Sequence, residues 1–324
     1  MAKRMLIIRP LSPFRTPLQS DTFFGHVCWA MRYIYGEQRL IDFLAAFVDD
    51  YAPLLLSNGF PRGYLPMPVL RPPDENEETA IMELCRDRLD FLREIKRLKK
   101  VPYVKAEVFD DTKDGLSYYN LYRRHLVGEI LLEYPEDGSR PFVEVQTWHN
   151  TKNRLSDRVL TGGLFSKKET FYHAGMELCI YMEDLYFDKH ELYEMIEFIS
   201  RSGYGADKSI GRGLFDFEML DDWDLPAVQE PNAFITLSNY HPRKGEFIDG
   251  YYTIKTKFGK IGGHWASGVD GGPHKLPILM LEPGSTLKAA EPNRPFYGGL
   301  IPNVHKKQGV VHYGIALPLK VRVV

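Results

Sequence analysis

Four glycines fall within eleven residues at Gly203, Gly205, Gly211 and Gly213, and Lys208, Ser209 and Arg212 stand among them. Glycine lets a backbone approach a phosphate closely, and the two cations can add charge-assisted hydrogen bonds. A nucleotide P-loop is excluded. The pattern GxxxxGK[ST] ending on Lys208-Ser209 needs glycine where Asp207 and Ser202 stand. The loop also follows a helical pattern and precedes a strand pattern, the reverse of P-loop and dinucleotide-binding order. Two readings stay open: a loop that contacts RNA backbone, or a long helix-to-strand connector.

A second region runs from Thr147 to His173. Lys152, Arg154, Arg158, Lys167 and Lys168 outnumber Asp157 and Glu169, and Trp148, His149, Asn150 and Phe165 are interleaved with them. Cations mixed with rings suit a single-stranded nucleic acid, tracked by charge and stacked upon. The expected form is a projecting hairpin broken at Gly162-Gly163, with Leu160, Leu164 and Phe165 as an apolar tip; the alternative is a surface excursion without a ligand.

Catalytic patterns are sparse. The ten histidines include no HExxH or HxxxH, no GxSxG occurs, and Cys28, Cys85 and Cys179 lack zinc or disulfide spacing. His26 reads as a core or interface residue. His149 is the best candidate for a ribonuclease acid or base. No cofactor and no metal are expected.

The elements that must position these regions follow from periodicity. Met5 to Arg9 reads as a strand, and 21–35 as a helix capped by Ser20-Asp21, with Phe24, Val27, Met31 and Ile34 on one face. A helix over 37–50, an ordered loop or edge strand over 53–73, and a helix over 79–100 with a basic outer face follow. Residues 178–182 form a buried strand, and Asp188 with Glu191 matches a capping box for the helix carrying Leu192, Met195, Ile196 and Ile199. Ser202-Gly203 stops that helix, and Phe215, Phe217 and Met219 mark the next strand. An acidic run from Asp216 to Glu230 suggests a domain boundary. Beyond it, Tyr252, Ile254, Thr256 and Phe258 alternate with Tyr251, Thr253, Lys255 and Lys257 as a strand. Val311 to Val323 has apolar residues at every odd position, a long strand with one buried face and an edge or bulge at Pro318.

Lys plus Arg is 41 and Asp plus Glu is 43, which excludes a uniformly basic coat but not a local basic surface. The longest runs without such charges are twelve residues, short of the roughly 20 a spanning helix needs. No membrane partner is expected, and odd, scattered cysteines suit a reducing cytoplasm.

Taken in order, several segments resemble a known family. Leu18-Gln19-Ser20-Asp21-Thr22-Phe23-Phe24-Gly25, with Trp29 following, resembles an "SDTLFG" helix start. Gly205, Gly211 and Gly213 resemble the glycine-rich loop of the RAMP superfamily. Tyr64-Leu65-Pro66-Met67-Pro68 resembles a "YLPKP" segment, with Met67 where Lys is usual. His149-Asn150 with Arg154, then Gly163-Leu164-Phe165, and the terminal Tyr313 to Val321 complete the set. The chain is similar to the subunit-four family of the Csm complex, the type III-A CRISPR effector; the equivalent type III-B subunit is disfavoured by the opening motif.

That resemblance implies an α+β fold of two modified ferredoxin-like (RRM-like) domains. The first would span 1–225 with a glycine-rich loop and an inserted thumb at about 149–173; the second, β-rich, would span 226–324. It implies a non-catalytic subunit that holds the 5′ handle of the CRISPR RNA. Its protein partners would be the large polymerase-like signalling subunit and a backbone RAMP subunit, with target RNA near the thumb. The RNA-binding residues would be Ser20 and Asp21; His149, Asn150, Lys152, Arg154 and Arg158; Phe165, Lys167 and Lys168; and Gly205, Lys208, Ser209, Gly211, Arg212 and Gly213. The competing reading is a RAMP endoribonuclease that processes precursor RNA through His149 or His173.

Overall fold

The computed structural model describes residues 2–129, 141–263, 265 and 272–324. It opens with β1 (Ala2–Pro10), where Leu6, Ile7 and Ile8 are fully buried. Helix α1 (Ser20–Tyr35) buries Phe24, Val27 and Met31 of the expected stripe together with Phe23, whereas Ile34, in the last turn, is exposed. Gly36, at φ +93, ends α1, and α2 (Glu37–Ala45) follows, shorter than the expected 37–50. The proline-rich stretch supplies the short strands β2 (Leu54–Leu56), β3 (Phe60–Pro61) and β4 (Tyr64–Pro66).

The single helix expected over 79–100 is two. Asp74 forms a capping box with Glu77 to start α3 (Glu75–Glu83), and Asp87 accepts from the Asp90 N–H to start α4 (Arg88–Leu98). A second N-cap inside one amphipathic pattern outweighs the continuity of that pattern. After these come β5 (Tyr103–Lys105), α5 (Ala106–Thr112), β6 (Asp114–Leu116) and α6 (Tyr118–Leu126). Strands β7 (Phe142–Lys152) and β8 (Val159–Tyr172) then form a two-stranded antiparallel ribbon.

Strand β9 (Leu178–Asp184) leads to α7 (Lys189–Ser202), capped by Asp188 accepting from the Glu191 N–H and ended by Gly203. The glycine-rich loop carries one 3₁₀ turn, Lys208–Ile210, before β10 (Phe215–Asp221). The expected order strand, helix, glycine-rich loop, strand is present. The last hundred residues give β11 (Ala233–Thr236), β12 (Phe247–Tyr251), β13 (Ile254–Lys257), β14 (Ile278–Leu281), β15 (Thr286–Ala289), β16 (Tyr297–Ile301), β17 (His312–Ala316) and β18 (Pro318–Val323).

One sheet runs β10-β1-β9-β2 with antiparallel neighbours, and β3 also pairs β9. The other runs β12-β15-β11-β18-β6, antiparallel except that β6 lies parallel to β18. This is a mixed α+β fold with several antiparallel sheets. The main core crosses from one sheet to the other, so Leu6, Phe23 and Ile196 share it with Ile235, Leu317 and Leu319. Phe24 packs on Tyr313 at 4.7 Å, and the Tyr313 hydroxyl accepts from the Leu56 N–H at 3.0 Å. Among the described residues no helix is long and apolar enough to cross a membrane.

Two strand expectations change. The period-two run from Val311 to Val323 is β17 and β18, which belong to different sheets, and residues 312–319 are buried without alternation. Pro318 is the first residue of β18, where a missing N–H is tolerated. The stretch 251–258 divides between β12 and β13. Ile254 and Phe258 face solvent, 57% and 70% exposed, while Lys257 turns inward because a buried aspartate receives it.

Candidate nucleic-acid interface

The glycine-rich loop closes on itself. The Tyr204 N–H donates to the Gly213 carbonyl at 2.8 Å, and a Cβ on Gly213 would lie 2.0 Å from the Tyr204 oxygen. A Cβ on Gly203 would meet the Arg212 carbonyl at 2.5 Å, and one on Gly205 would meet Thr16 at 2.6 Å. These glycines therefore serve internal closure, and their N–H groups are spent there. Gly205 N–H donates to His26 Nε2 at 2.9 Å and Gly213 N–H to the Pro13 carbonyl at 3.0 Å. The expectation that Gly205 and Gly213 offer free amides to phosphate is corrected accordingly. Gly211 is different: it has φ +80 and open space around its Cβ position. Lys208, Ser209, Ile210 and Gly211 form the outward part of the loop. His26 beneath it is held neutral, as burial, with Lys208 adding, pushes its pKa down to about 3.

The hairpin has two chemically distinct faces, because side chains alternate along a strand. His149 lies opposite Phe165 and Thr147 opposite Lys167 on the inner face. His149 stacks on Phe165 at 5.5 Å, and the Lys167 ammonium lies 5.5 Å from the same ring. The outer face carries Trp148, 66% exposed, with Asn150, Leu164 and Lys168. Lys167 and Lys168 thus point to opposite sides. The turn lies at 153–158 and Gly162-Gly163 lies inside β8, so the expected break moves toward the N-terminus. Asn153 Oδ1 accepts from the Leu155 and Ser156 N–H groups, which shapes that turn. Lys152, Arg154 and Arg158 are exposed around it, with Leu155 outermost. The side chain of Leu160, expected at the apolar tip, lies outside the described residues.

Loop and hairpin meet at Arg15, which the sequence reading did not single out. Its guanidinium is 3% exposed and donates through Nε to Glu169 at 2.7 Å, through Nη1 to Asp207, and through Nη2 to His149 Nε2 at 2.8 Å. Glu169, 1% exposed, also receives Arg212 Nε at 2.9 Å, and Asp207 receives Lys167 Nζ at 2.9 Å. Burial alone would raise the Glu169 pKa, but Arg15 and Arg212 outweigh it and hold it below the usual value. Lys167, then Arg15, hold Asp207 low in the same way. Three cations surround two carboxylates. The backbone completes the join, since Phe14 and Thr170 exchange N–H···O bonds of 3.0 and 2.8 Å. A cation bracketed by Pro13 and Pro17 was the available signal: a rigid segment that fixes where Arg15 points.

Ser20 and Asp21 lie elsewhere and inside. Gln19, not Ser20, is the N-cap of α1. Ser20 is fully buried, and its hydroxyl accepts from the Asn239 N–H at 3.1 Å. Asp21 accepts from Asn239 Nδ2 at 2.8 Å and faces Lys257 Nζ at 2.8 Å and His312 Nε2 at 3.3 Å. Burial disfavours the Asp21 charge, but His312 and Lys257 hold its pKa well below the carboxylate range. These two residues tie the N-terminal half to the C-terminal half and have no surface to offer RNA, which corrects that expectation. Among the described residues no three His, Cys, Asp or Glu side chains gather as a metal site.

No family model and no curated relative matches the chain. Solved structures do. A chain of the Csm1-Csm4 cassette in complex with AMPPNP matches with a TM-score of 0.59 at 18% identity, covering 99% of both chains. The same cassette in complex with cA4 gives 0.59 at 17%, again over 99% of both. A chain of the Csm3-Csm4 subcomplex in the type III-A CRISPR-Cas interference complex gives 0.59 at 16%, covering 98% of this chain and 99% of that one. Csm4 is the component common to cassette and subcomplex. The chain has the Csm4 fold. Within that fold, the glycine-rich loop and the hairpin form one continuous, cation-bearing surface joined by Arg15.

Proposed function

We propose that this chain is a non-catalytic, structural RNA-binding subunit of a type III-A CRISPR effector. In this reading it holds the 5′ handle of the CRISPR RNA and bridges the large polymerase-like subunit to the backbone subunits. The observation that carries it is the Arg15 junction, where the basic hairpin and the glycine-rich loop meet in a chain with the Csm4 fold. The solved assemblies pair Csm4 with Csm1 and with Csm3, which supports those two classes of partner and a cytoplasmic setting.

The topology supports two modified ferredoxin-like (RRM-like) domains, 1–225 and 226–324. In chain order of their four strands, β10-β1-β9-β2 and β18-β11-β15-β12 both read fourth, first, third, second. The first half keeps the helices α1 and α7; the second has the β16-β17 hairpin in its last connection. The β7-β8 ribbon is then the thumb, about 30 Å long at the usual rise per residue, and target RNA would lie near its turn.

The endoribonuclease alternative is disfavoured at His149. Arginine only donates hydrogen bonds, so His149 Nε2, which faces Arg15 Nη2, acts as an acceptor. An imidazolium would point a second donor at that arginine.

Co-expression with the large and backbone subunits, followed by sequencing of the co-purified RNA, tests the function. Repeat-derived 5′ ends should be recovered, and depleted when Arg154, Arg158 and Lys208 are changed to Ala together. Labelled repeat RNA should stay intact with the purified protein, with or without divalent metal. Cleavage that disappears in His149→Ala would establish the enzyme instead.

A further inference from the structure

Glu169 and Asp207 both face arginine at the junction, but they are not equivalent. Glu169 and the Arg15 side chain are sealed, at 1% and 3% exposure. Asp207 retains 25%, Lys167 39% and Arg212 31%. Asp207 is therefore the anion at the mouth of the cluster. Its backbone is left-handed, with φ +60 and ψ 24, and it sits between exposed Ala206 and Lys208. One carboxylate oxygen, Oδ2, takes both Arg15 Nη1 and Lys167 Nζ. An arginine and a lysine converging on one oxygen is the arrangement by which they also hold a phosphate oxygen.

We propose that Asp207 is an internal stand-in for phosphate, filling a subsite made by Arg15 and Lys167, and that an RNA backbone phosphate binds there by displacing its carboxylate. This rests on the RNA-binding reading above and deepens it by naming the subsite and its competitor. Glu169 stays in place during the exchange and keeps Arg15 and Arg212 oriented. One anion replaces another, so the buried arginine is not left unpaired, which would be the costly outcome. The free chain then binds RNA more weakly than its cations alone would allow, because the competent state must first release Asp207.

The test measures binding of a fluorescein-labelled single-stranded oligoribonucleotide across a salt series. Asp207→Asn keeps the shape and tolerates the left-handed backbone; Asp207→Gly removes the side chain and suits the same φ. Asp110→Asn, which breaks an exposed pair with Lys113 in α5, makes the same charge change away from the junction. Both Asp207 variants should bind roughly two- to fivefold tighter than the wild type, the range set by releasing one part-exposed ion pair. The salt slope should stay at the wild-type value, because the same phosphate contact forms in both proteins and only its competitor is gone. Asp207 variants that match Asp110→Asn, or bind more weakly than the wild type, overturn the proposal. Thermal melting with inorganic pyrophosphate separates the two levels. If no protein binds RNA but pyrophosphate raises the melting temperature of Asp207→Asn and not of Asp110→Asn, the subsite stands and the RNA function falls. Absence of both effects overturns the subsite.

Discussion

Two of the clusters of opposite charges use similar side chains to different ends. At the start of α1, Asp21 meets Lys257 and His312 in a sealed pocket between the two halves. At the loop-hairpin junction, Arg15, Arg212 and Lys167 meet Glu169 and Asp207, and the outer members reach solvent. The difference is access to water. A sealed charge is worth much to the fold only while its partners remain, because solvent cannot replace them. A half-open charge can trade partners, which is what a binding surface requires. Residues at a familiar motif can belong to either class, and Asp21 belongs to the first.

The largest break in that contrast is Asp21→Asn. It leaves Lys257 and His312 facing a neutral group, and the loss should approach about 3 kcal/mol, the low end for removing one partner of a buried pair. Glu169→Gln should cost less, about 2 kcal/mol, because Arg212 can turn toward water. Denaturant unfolding of both variants checks the order. If Glu169→Gln proves the more damaging, the junction is a structural core and not an exchangeable surface.

The loop glycines sharpen the comparison at the level of backbone. Gly213→Ala should destabilise strongly, since its Cβ has no room beside the Tyr204 carbonyl. Gly211→Ala meets open space and should cost only the left-handed penalty, about 1 kcal/mol. Equal melting temperatures for the two would mean that the loop opens freely. His26 gives a pH test of the same loop. Its folded pKa is depressed to about 3, so below the unfolded value near 6.5 the unfolded chain binds the extra proton. Stability should therefore fall as the pH drops from about 6.5 toward 3, and the decline should be shallower in His26→Gln. Asp21 adds to the loss only at lower pH: its contribution is complete above the unfolded value near 3.9 and disappears as pH falls through its lower folded value.

Local signals were legible in the sequence where a cap or a glycine decides the geometry. Asp188 and Gly203 bound α7, and β9, α7 and β10 stand where periodicity put them. Both regions of the candidate interface were legible from charge and glycine content. Their meeting was not, because it depends on Arg15 reaching Glu169 and Asp207 across 154 and 192 residues of sequence. The orientation of Ser20 and Asp21 was hidden for the same reason: Asn239, Lys257 and His312 come from the far half. The run from Val311 to Val323 misled because burial on both faces removes the meaning of alternation.

The smallest effect on stability, and the one most specific to function, is expected at the hairpin turn. Lys152, Arg154 and Arg158 bury little, and Lys152 pairs with exposed Asp157 at 3.2 Å. Exposed pairs of this kind contribute about 0–1 kcal/mol. Arg154→Ala with Arg158→Ala should leave the melting temperature nearly unchanged. Replacing 154–158 by a Gly-Ser turn should do the same, since closure varies slowly with loop length and the inner face is held at Phe14, Arg15 and Glu169. RNA binding should respond differently. Each lost phosphate contact should flatten the salt slope by about 0.7. On the same fold, the turn variants should then flatten the slope, whereas the Asp207 variants should tighten binding without changing it. A fall in melting temperature with the turn replacement would make the turn part of the core, and an unchanged slope would remove it from the RNA path.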